Sequence, residues 1–513
     1  MYSDEVKTDV APASAKSVKA EVVTIGLAQL MSATADVAEL QGRLKQYTMY
    51  CKANNVPIQR PLVGQLESAM SSALEVAEAR IRHEGGLQAE SELDRQTIEC
   101  EQLARMMLQT KSYVIQCLEW CAPAYEQSHS NQFFDLCAQR NARVNYERYE
   151  SKEVEAIERQ LAEVLGYDTT QKAVVLTSSG MSAYAIVEAF TVREILSPGD
   201  TVLVSPYIYF EASGQLTTLK SLDVVFAESY DVEQILALAE ARQPRAIFLD
   251  PLSNTPEQRL IDLDRFFREI GSRMTGAVTV VVDGTMSPGC YRPEWSDAGG
   301  KVEVIYYESC SKYLQLGFDS MMAGYVLAPI AHREKLGIIR RNTGAILSRD
   351  CANTFPRYSA DTLWKRMDII ARNAMAVMDH FSGLDAVQSL VEVHYPGHAS
   401  HPDHEVGKRY KTLGGCVSFK FRSGNDYPKL NRFISELIEV CTARGIRLIK
   451  GVSFGHTVPR VSASSAMAGF DKPYIRLFVG ALGVESTQAL CKAIELTLLA
   501  GSYLQSEPAH ELA

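Results

Sequence analysis

Lys312 follows the apolar run VIYYESCS, which reads as a strand ending just before it. A lysine at the end of a buried strand can lose its proton through desolvation, and the neutral amine then attacks an aldehyde. In isolation such a lysine also suits an ordinary surface position. Ser309 and Ser311 flank it with hydroxyls. Asp283 stands 29 residues earlier, closing the run VTVVVD at 278–283. Strand ends of this kind are where open α/β sheets hold ligands. A carboxylate there can pair with a protonated ring nitrogen or simply cap a turn. A third segment, TSSGMSAYAIVEAF at 177–190, passes from a strand into a helix near Gly180. The free N–H groups and the dipole of a helix N-terminus suit a phosphate. Ser178 and Ser179 can add donors there, or serve as plain caps.

The three segments together resemble the Cys/Met-metabolism family of pyridoxal-phosphate (PLP) enzymes, which includes cystathionine γ-synthase, cystathionine lyases and methionine γ-lyase. The family's S-S-G-M, V-D-N-T-F and S-x-T-K-Y motifs are matched by 178–181, by Val282-Asp283-Gly284-Thr285-Met286 and by Ser309-Cys310-Ser311-Lys312-Tyr313. Further matches follow in the same order. Asn145-Tyr146-Glu147-Arg148 resembles the Y-x-R motif, and Pro206-Tyr207 lies where the family has a ring-stacking tyrosine. PLSNTP at 251–256 resembles P-x-N-P, and YPGHASHPDHE at 395–405 resembles Y-P-G-L-x-S-H-P-x-H. GGCVSF resembles G-G-M-x-S-F, and the segment Tyr474–Gly480 resembles R-L-S-V-G. The resemblance covers roughly 140–503.

The resemblance implies PLP held as a Schiff base on Lys312, with Asp283 on the ring nitrogen, Tyr207 stacked on the ring and Asn254 at the ring hydroxyl. The phosphate would be held by Ser179, Gly180, Met181, Ser309 and Ser311 of one subunit and by Tyr146 and Arg148 of another. That implies a homodimer sharing active sites, and a homotetramer. Arg476 would clamp the substrate carboxylate, helped by Ser453, with His456 lining the substrate side. Lys312 would move the Cα proton, and Tyr207 would act as acid or base toward the leaving group. Three segments depart from the pattern, the first being Tyr207-Ile208-Tyr209-Phe210-Glu211 where the family has a Y-G-G stretch. SFGHTVPR at 453–460 stands where the family has S-L-G-G-x-E-S-L, so Val458 replaces an acid and His456 a glycine. Gly317-Phe318-Asp319 stands where the family has G-H-x-D.

The expected reaction is a β- or γ-elimination on an amino acid with a sulfur or halogen leaving group, extending to a γ-lyase that makes an alkyne or olefin amino acid. The alternatives are a γ-replacement synthase and a non-catalytic scaffold on a PLP fold.

The elements that must position these residues alternate from about 150 onward. Apolar strands at 173–176, 201–205, 246–250 and 278–283 are separated by helices at 181–195, 231–243 and 262–273. Such alternation predicts a mostly parallel sheet covered on both faces. The resemblance makes this PLP fold type I, like aspartate aminotransferase. A smaller α+β domain follows, with helices at 359–382, 427–443 and 484–503 and strands at 416–421, 446–449 and 475–480. Before them, helical spacing of Ile25, Leu27, Leu30, Val37 and Leu40, and again from Leu87 to Leu118, predicts a helical packing or oligomerisation layer. The expected division is a flexible arm (1–19), helical extension (20–125), cofactor-contacting arm (126–165), large domain (166–345) and small domain (346–513).

The net charge of −10 disfavours nucleic acid and anionic membranes as partners. An early acidic N-terminus without an apolar core, and no bilayer-length apolar run, leave the cytoplasm as the expected location. The 11 cysteines include no C-x-x-C pair and read as reduced thiols. Cys117 and Cys121 share a helix face without further ligands. His394, His398, His401 and His404 fall in the crossover-like segment, so no metal is expected.

Overall fold

The computed structural model describes residues 15–55, 60–82, 90–118, 149, 151–297, 300–423, 425–465 and 473–501. Its centre is a seven-stranded sheet of β1 (Lys172–Thr177), β2 (Thr201–Val204), β3 (Asp223–Phe226), β4 (Ala246–Leu249), β5 (Val278–Asp283), β6 (Val302–Ser309) and β7 (Gly324–Pro329). The spatial order is β1-β7-β6-β5-β4-β2-β3. β7 pairs antiparallel with both β1 and β6, and every other pair is parallel. Six strands therefore point the same way, and their carboxyl ends line one edge. β5 is buried at all six positions, as a central parallel strand covered on both faces must be.

A second, five-stranded sheet has the order β10-β11-β12-β9-β8, from β8 (Val391–His394), β9 (Cys416–Phe421), β10 (Ile449–Lys450), β11 (Arg460–Ser464) and β12 (Tyr474–Phe478). Ser418 of β9 donates its hydroxyl to the Pro256 carbonyl, tying this sheet to the loop after β4. The strand read at 446–449 is shorter and later, because the Ile446 N–H is drawn back to the Cys441 carbonyl at the preceding helix end.

The longer helices are α1 (Ala15–Ala53), α2 (Arg60–Arg82), α3 (Glu90–Leu118), α4 (Lys152–Leu165), α5 (Gly180–Glu194), α6 (Val232–Arg242), α7 (Leu263–Arg273), α8 (Arg333–Asn342), α9 (Ala360–Ser382), α10 (Tyr427–Ala443) and α11 (Val484–Ala500). α1 begins inside the stretch read as an arm. Ala15, Lys16, Lys19 and Ala20 are strong helix formers, and no proline or glycine interrupts them. Among the described residues none of these helices is long and apolar enough to cross a membrane.

α1, α2 and α3 share a core of Leu30, Val37, Leu44, Leu66, Met70, Ala104 and Met107. Phe318, from the loop after Lys312, is buried in that same cluster. The helical layer also grips the rest of the chain through polar contacts. Asp94 accepts from the Gly483 N–H (2.8 Å) and the Ser486 hydroxyl at the start of α11. Asp36 pairs with Lys111 (2.6 Å) and Arg357 (3.3 Å).

Candidate active site

The sequence-predicted residues converge on the carboxyl edge of the large sheet. Ser205 and Tyr207 follow β2, Asn254 follows β4, Asp283 ends β5, Ser309 ends β6, and Gly180 follows β1. The register places Asp283 beside Tyr307 on β6, two residues from the end of a strand that leads to Lys312.

At the α5 end, Ser179 caps the helix by accepting from the Ser182 N–H (2.9 Å). Gly180 is required by close approach: a Cβ there would lie 2.6 Å from the Ser309 Cβ. The Ser309 N–H in turn donates to the Thr285 hydroxyl (3.0 Å). The Ser311 hydroxyl is held by the Ala323 backbone, accepting from its N–H at 3.1 Å and facing its carbonyl at 3.4 Å. Beneath this corner, Glu158 of α4 accepts from the Leu176 N–H (2.9 Å) and from Arg340 (2.8 Å), which pins the end of β1.

Asp283 is buried, and its Oδ1 accepts from the Thr285 N–H (2.9 Å). Burial raises its pKa, while the Thr285 and Tyr307 hydrogen bonds oppose that shift. A cation facing it would restore the charge. Asp250, after β4, is also buried, and its Oδ1 has no protein partner. Burial and the neighbouring Asp283 push its carboxyl well up. Asp250 escaped the sequence reading, although it ends an apolar run just as Asp283 does.

Tyr207 is buried. Burial, then Asp250 and Tyr474, raise its phenol pKa, so it carries a proton at neutral pH. Tyr209 also senses this centre. Its pKa is pushed up to about 12, first by burial and then by Glu211, with Arg476 and Asp283 acting as weaker neighbours. Asn254 Oδ1 accepts from Arg476 (2.8 Å) and from the Tyr474 hydroxyl (3.0 Å).

Arg476 lies on β12 between Ser418 of β9 and Ser462 of β11. It is buried, and its second nitrogen donates to the Val452 carbonyl. Lys312 Nζ donates to the Ser453 hydroxyl at 3.1 Å. The Phe454 ring lies 5.3 Å from Lys312 Nζ and 5.3 Å from the Arg476 guanidinium, a shared apolar floor that sequence reasoning missed. Burial lowers the Lys312 pKa, and Arg476 lowers it further. Both effects favour the neutral amine.

His456 is placed differently from Ser453. Its ring is buried against the loop after Lys312, bonded to the Gly317 backbone and 3.9 Å from Asp319. Burial and Arg460 lower its pKa to about 4. Tyr146 and Arg148 lie outside the described residues, as does Cys121. His401 has both ring nitrogens engaged, with the Glu257 carbonyl (2.8 Å) and the Asp403 N–H (3.1 Å). Asp403 holds Arg259 through two bonds (2.6 and 3.0 Å). This segment therefore ties the small sheet's approach to the loop after β4.

The donor set suits PLP on chemical grounds. An amine poised to be neutral suits an aldehyde, and a buried carboxyl suits a ring nitrogen. A capped helix N-terminus with serines beside it suits a phosphate. The buried, unpartnered Asp250 oxygen marks a polar centre that protein atoms alone leave unsatisfied.

Similarity to known proteins agrees with this chemistry. The bifunctional enzyme flvA of Aspergillus flavus is 33% identical over 400 residues, covering 77% of this chain and 47% of flvA. The chain thus spans about half of that relative's length. Cystathionine γ-synthase of Escherichia coli is 28% identical, covering 66% of this chain and 83% of the relative. The crystal structure of cystathionine γ-synthase from Xanthomonas oryzae has the same fold, with a TM-score of 0.57 at 23% identity over 71% of this chain and 90% of that one. The family model described as "Cys/Met metabolism PLP-dependent enzyme" matches residues 103–490, and the chain belongs to that family of fold type I, PLP-using enzymes.

Proposed function

We propose that this chain is a PLP-dependent lyase acting on an L-amino acid that carries a sulfur or halogen substituent at its β or γ carbon. The observation that carries the reading is the Lys312 amine, favoured in its neutral form by burial and by Arg476 while the Ser453 hydroxyl holds its position. Lys312 is the residue that joins the cofactor. Asp283 would keep the cofactor's ring nitrogen protonated. Ser179, Gly180, Met181, Ser309 and Ser311 would hold the phosphate, and a partner protomer would supply Tyr146 and Arg148 in a homodimer or a tetramer of two dimers. The bound cofactor supplies an electron sink for the charge left at Cα.

Arg476 would pair with the substrate carboxylate and so hold the Cα–H bond in reach of Lys312. Lys312 then takes the Cα proton. Tyr207, kept protonated by its surroundings, gives its proton to the departing group. With Val458 where cystathionine-handling relatives carry an acid, a small or apolar distal group is the better fit. The sulfur substrate would yield an oxo acid, ammonia and a thiol, with one water consumed. A vinyl-halide amino acid would instead lose halide and form an alkyne.

A γ-replacement reading is favoured by one observation. The E. coli cystathionine γ-synthase is 28% identical, whereas a methionine γ-lyase of Fusobacterium nucleatum is 26% identical over a smaller share of this chain. The deciding experiment incubates the purified, PLP-loaded chain with methionine, a vinyl-halide amino acid and an acylated homoserine, with and without a thiol. Product mass spectra showing oxo acid or alkyne without the thiol support the lyase. A thioether formed only with the thiol supports replacement. A colourless protein that PLP does not convert to a visible-absorbing form sinks both.

A further inference from the structure

We propose that the N-terminal helical layer is part of the active-site apparatus, with Glu101 of α3 a positioning residue that acts through Arg366 on the 453–457 segment lying against Lys312. This rests on Lys312 being the cofactor lysine.

The chain of contacts from Arg366 to Lys312 is continuous. Arg366 of α9 is buried and donates to the Gly455 carbonyl (3.0 Å) and to the Thr457 hydroxyl (3.3 Å). Gly455 has a φ of +91° and presses on the catalytic turn, since a Cβ there would lie 2.2 Å from the Lys312 carbonyl oxygen. Two residues before it, Ser453 receives the Lys312 amine. One residue before it, Phe454 underlies both Lys312 and Arg476. Any shift of Gly455 therefore moves the contacts of both groups.

A buried guanidinium needs a counter-charge, because desolvating an unpaired charge is costly. Burial draws the Arg366 pKa down to about 10, and Glu101 is the charge that opposes this. Glu101 comes from the helical layer; burial pushes its own carboxyl up, and Arg366 and Thr457 oppose that shift. Glu101, Arg366 and Thr457 line one small cavity together with Gln29 and Gly26 of α1. Two of its lining groups, Arg366 Nε and Gln29 Nε2, are buried without a protein partner. This is a polar junction between helical layer and small domain, with room for a bridging water.

The second half of the same turn is held independently. Phe318, six residues after Lys312, is buried in the core of α1–α3. Two of the three segments that depart from the family pattern, 317–319 and 453–460, thus meet the helical layer or the residues that it braces.

The test uses the cofactor-free full chain and PLP itself as the probe. Borohydride trapping at timed intervals, read by peptide mass spectrometry, measures capture at Lys312. The native chain labels Lys312, and Glu101→Gln, with the native helical circular dichroism, labels it about tenfold more slowly. Glu101→Asp recovers part of that loss. Glu101→Gln adds nothing further when Arg366→Met is already present, because both act along one path. Capture by Glu101→Gln at the native rate, or multiplicative effects in the double variant, overturns the proposal. Label on another lysine of the native chain removes the Lys312 reading itself and this inference with it.

Discussion

The two walls of the site are built on different principles. On the sheet side, Asp283 and Ser309 stand at the ends of the paired parallel strands β5 and β6, whose ladder sets their spacing, and Gly180 follows β1. Asp283 is placed by backbone pairing and by a residue close to it in sequence, Thr285. On the opposite side, Ser453, Phe454 and Gly455 lie in a loop without a ladder of its own. Its position comes from Arg366 and, through Arg366, from Glu101, partners distant along the chain. Strand ends can thus be specified by short motifs. A loop wall can be respecified by any part of the chain that reaches it, and in this protein the helical layer does so.

Lys312 belongs to both walls, so its loss should have the largest effect. Lys312→Ala should lower turnover on the order of 1,000-fold or more, with loss of visible absorption after PLP addition. Phe318→Ala acts only on the loop wall. It should cost about 3–5 kcal/mol in denaturant unfolding, the usual result of emptying a buried aromatic site, and should slow PLP capture. If PLP capture stays native despite the lost stability, the helical layer is only a packing unit. Gly180→Ala acts only on the sheet wall. Its Cβ meets Ser309, so overpacking of about 1–3 kcal/mol should appear as weaker PLP binding in a titration.

The smallest expected effect is a pH effect on the loop wall. His456 has a folded pKa of about 4 against an ordinary value of 6.5. The unfolded chain therefore takes up the proton first as pH falls, and the native state loses stability between those values. The melting-temperature difference between the native chain and His456→Gln should be constant above pH 6.5 and should turn against the native chain below it. A difference that is flat down to pH 4 would mean that His456 is as solvated folded as unfolded.

Much of the sheet wall was readable in advance. VTVVVD at 278–283 is β5 residue for residue, CVSFKF is β9, and the 427–443 helix has the expected bounds. Long apolar runs and their breakers act locally, so they can be read locally. Asp250 carried the same signal as Asp283 and was passed over because no motif drew attention to it. Phe454 gave no signal, since an aromatic beside a serine is ordinary until two cations are seen around it. The helical layer was foreseen as helices but not as a brace. Nothing in α3 taken alone distinguishes Glu101 from the acidic residues that face solvent.

The residue types therefore determined the proposed chemistry: an amine, a strand-end acid and a helix N-terminus in the right order along the chain. They also determined the parallel sheet, because a buried strand must be apolar on both faces. What only the tertiary structure decided is the company those residues keep. A pKa or a loop position depends on the burial and charge of groups brought together through space. Here Arg366 and Arg476 come from elements far from Lys312 in sequence, and Glu101 from a helix more than two hundred residues before it.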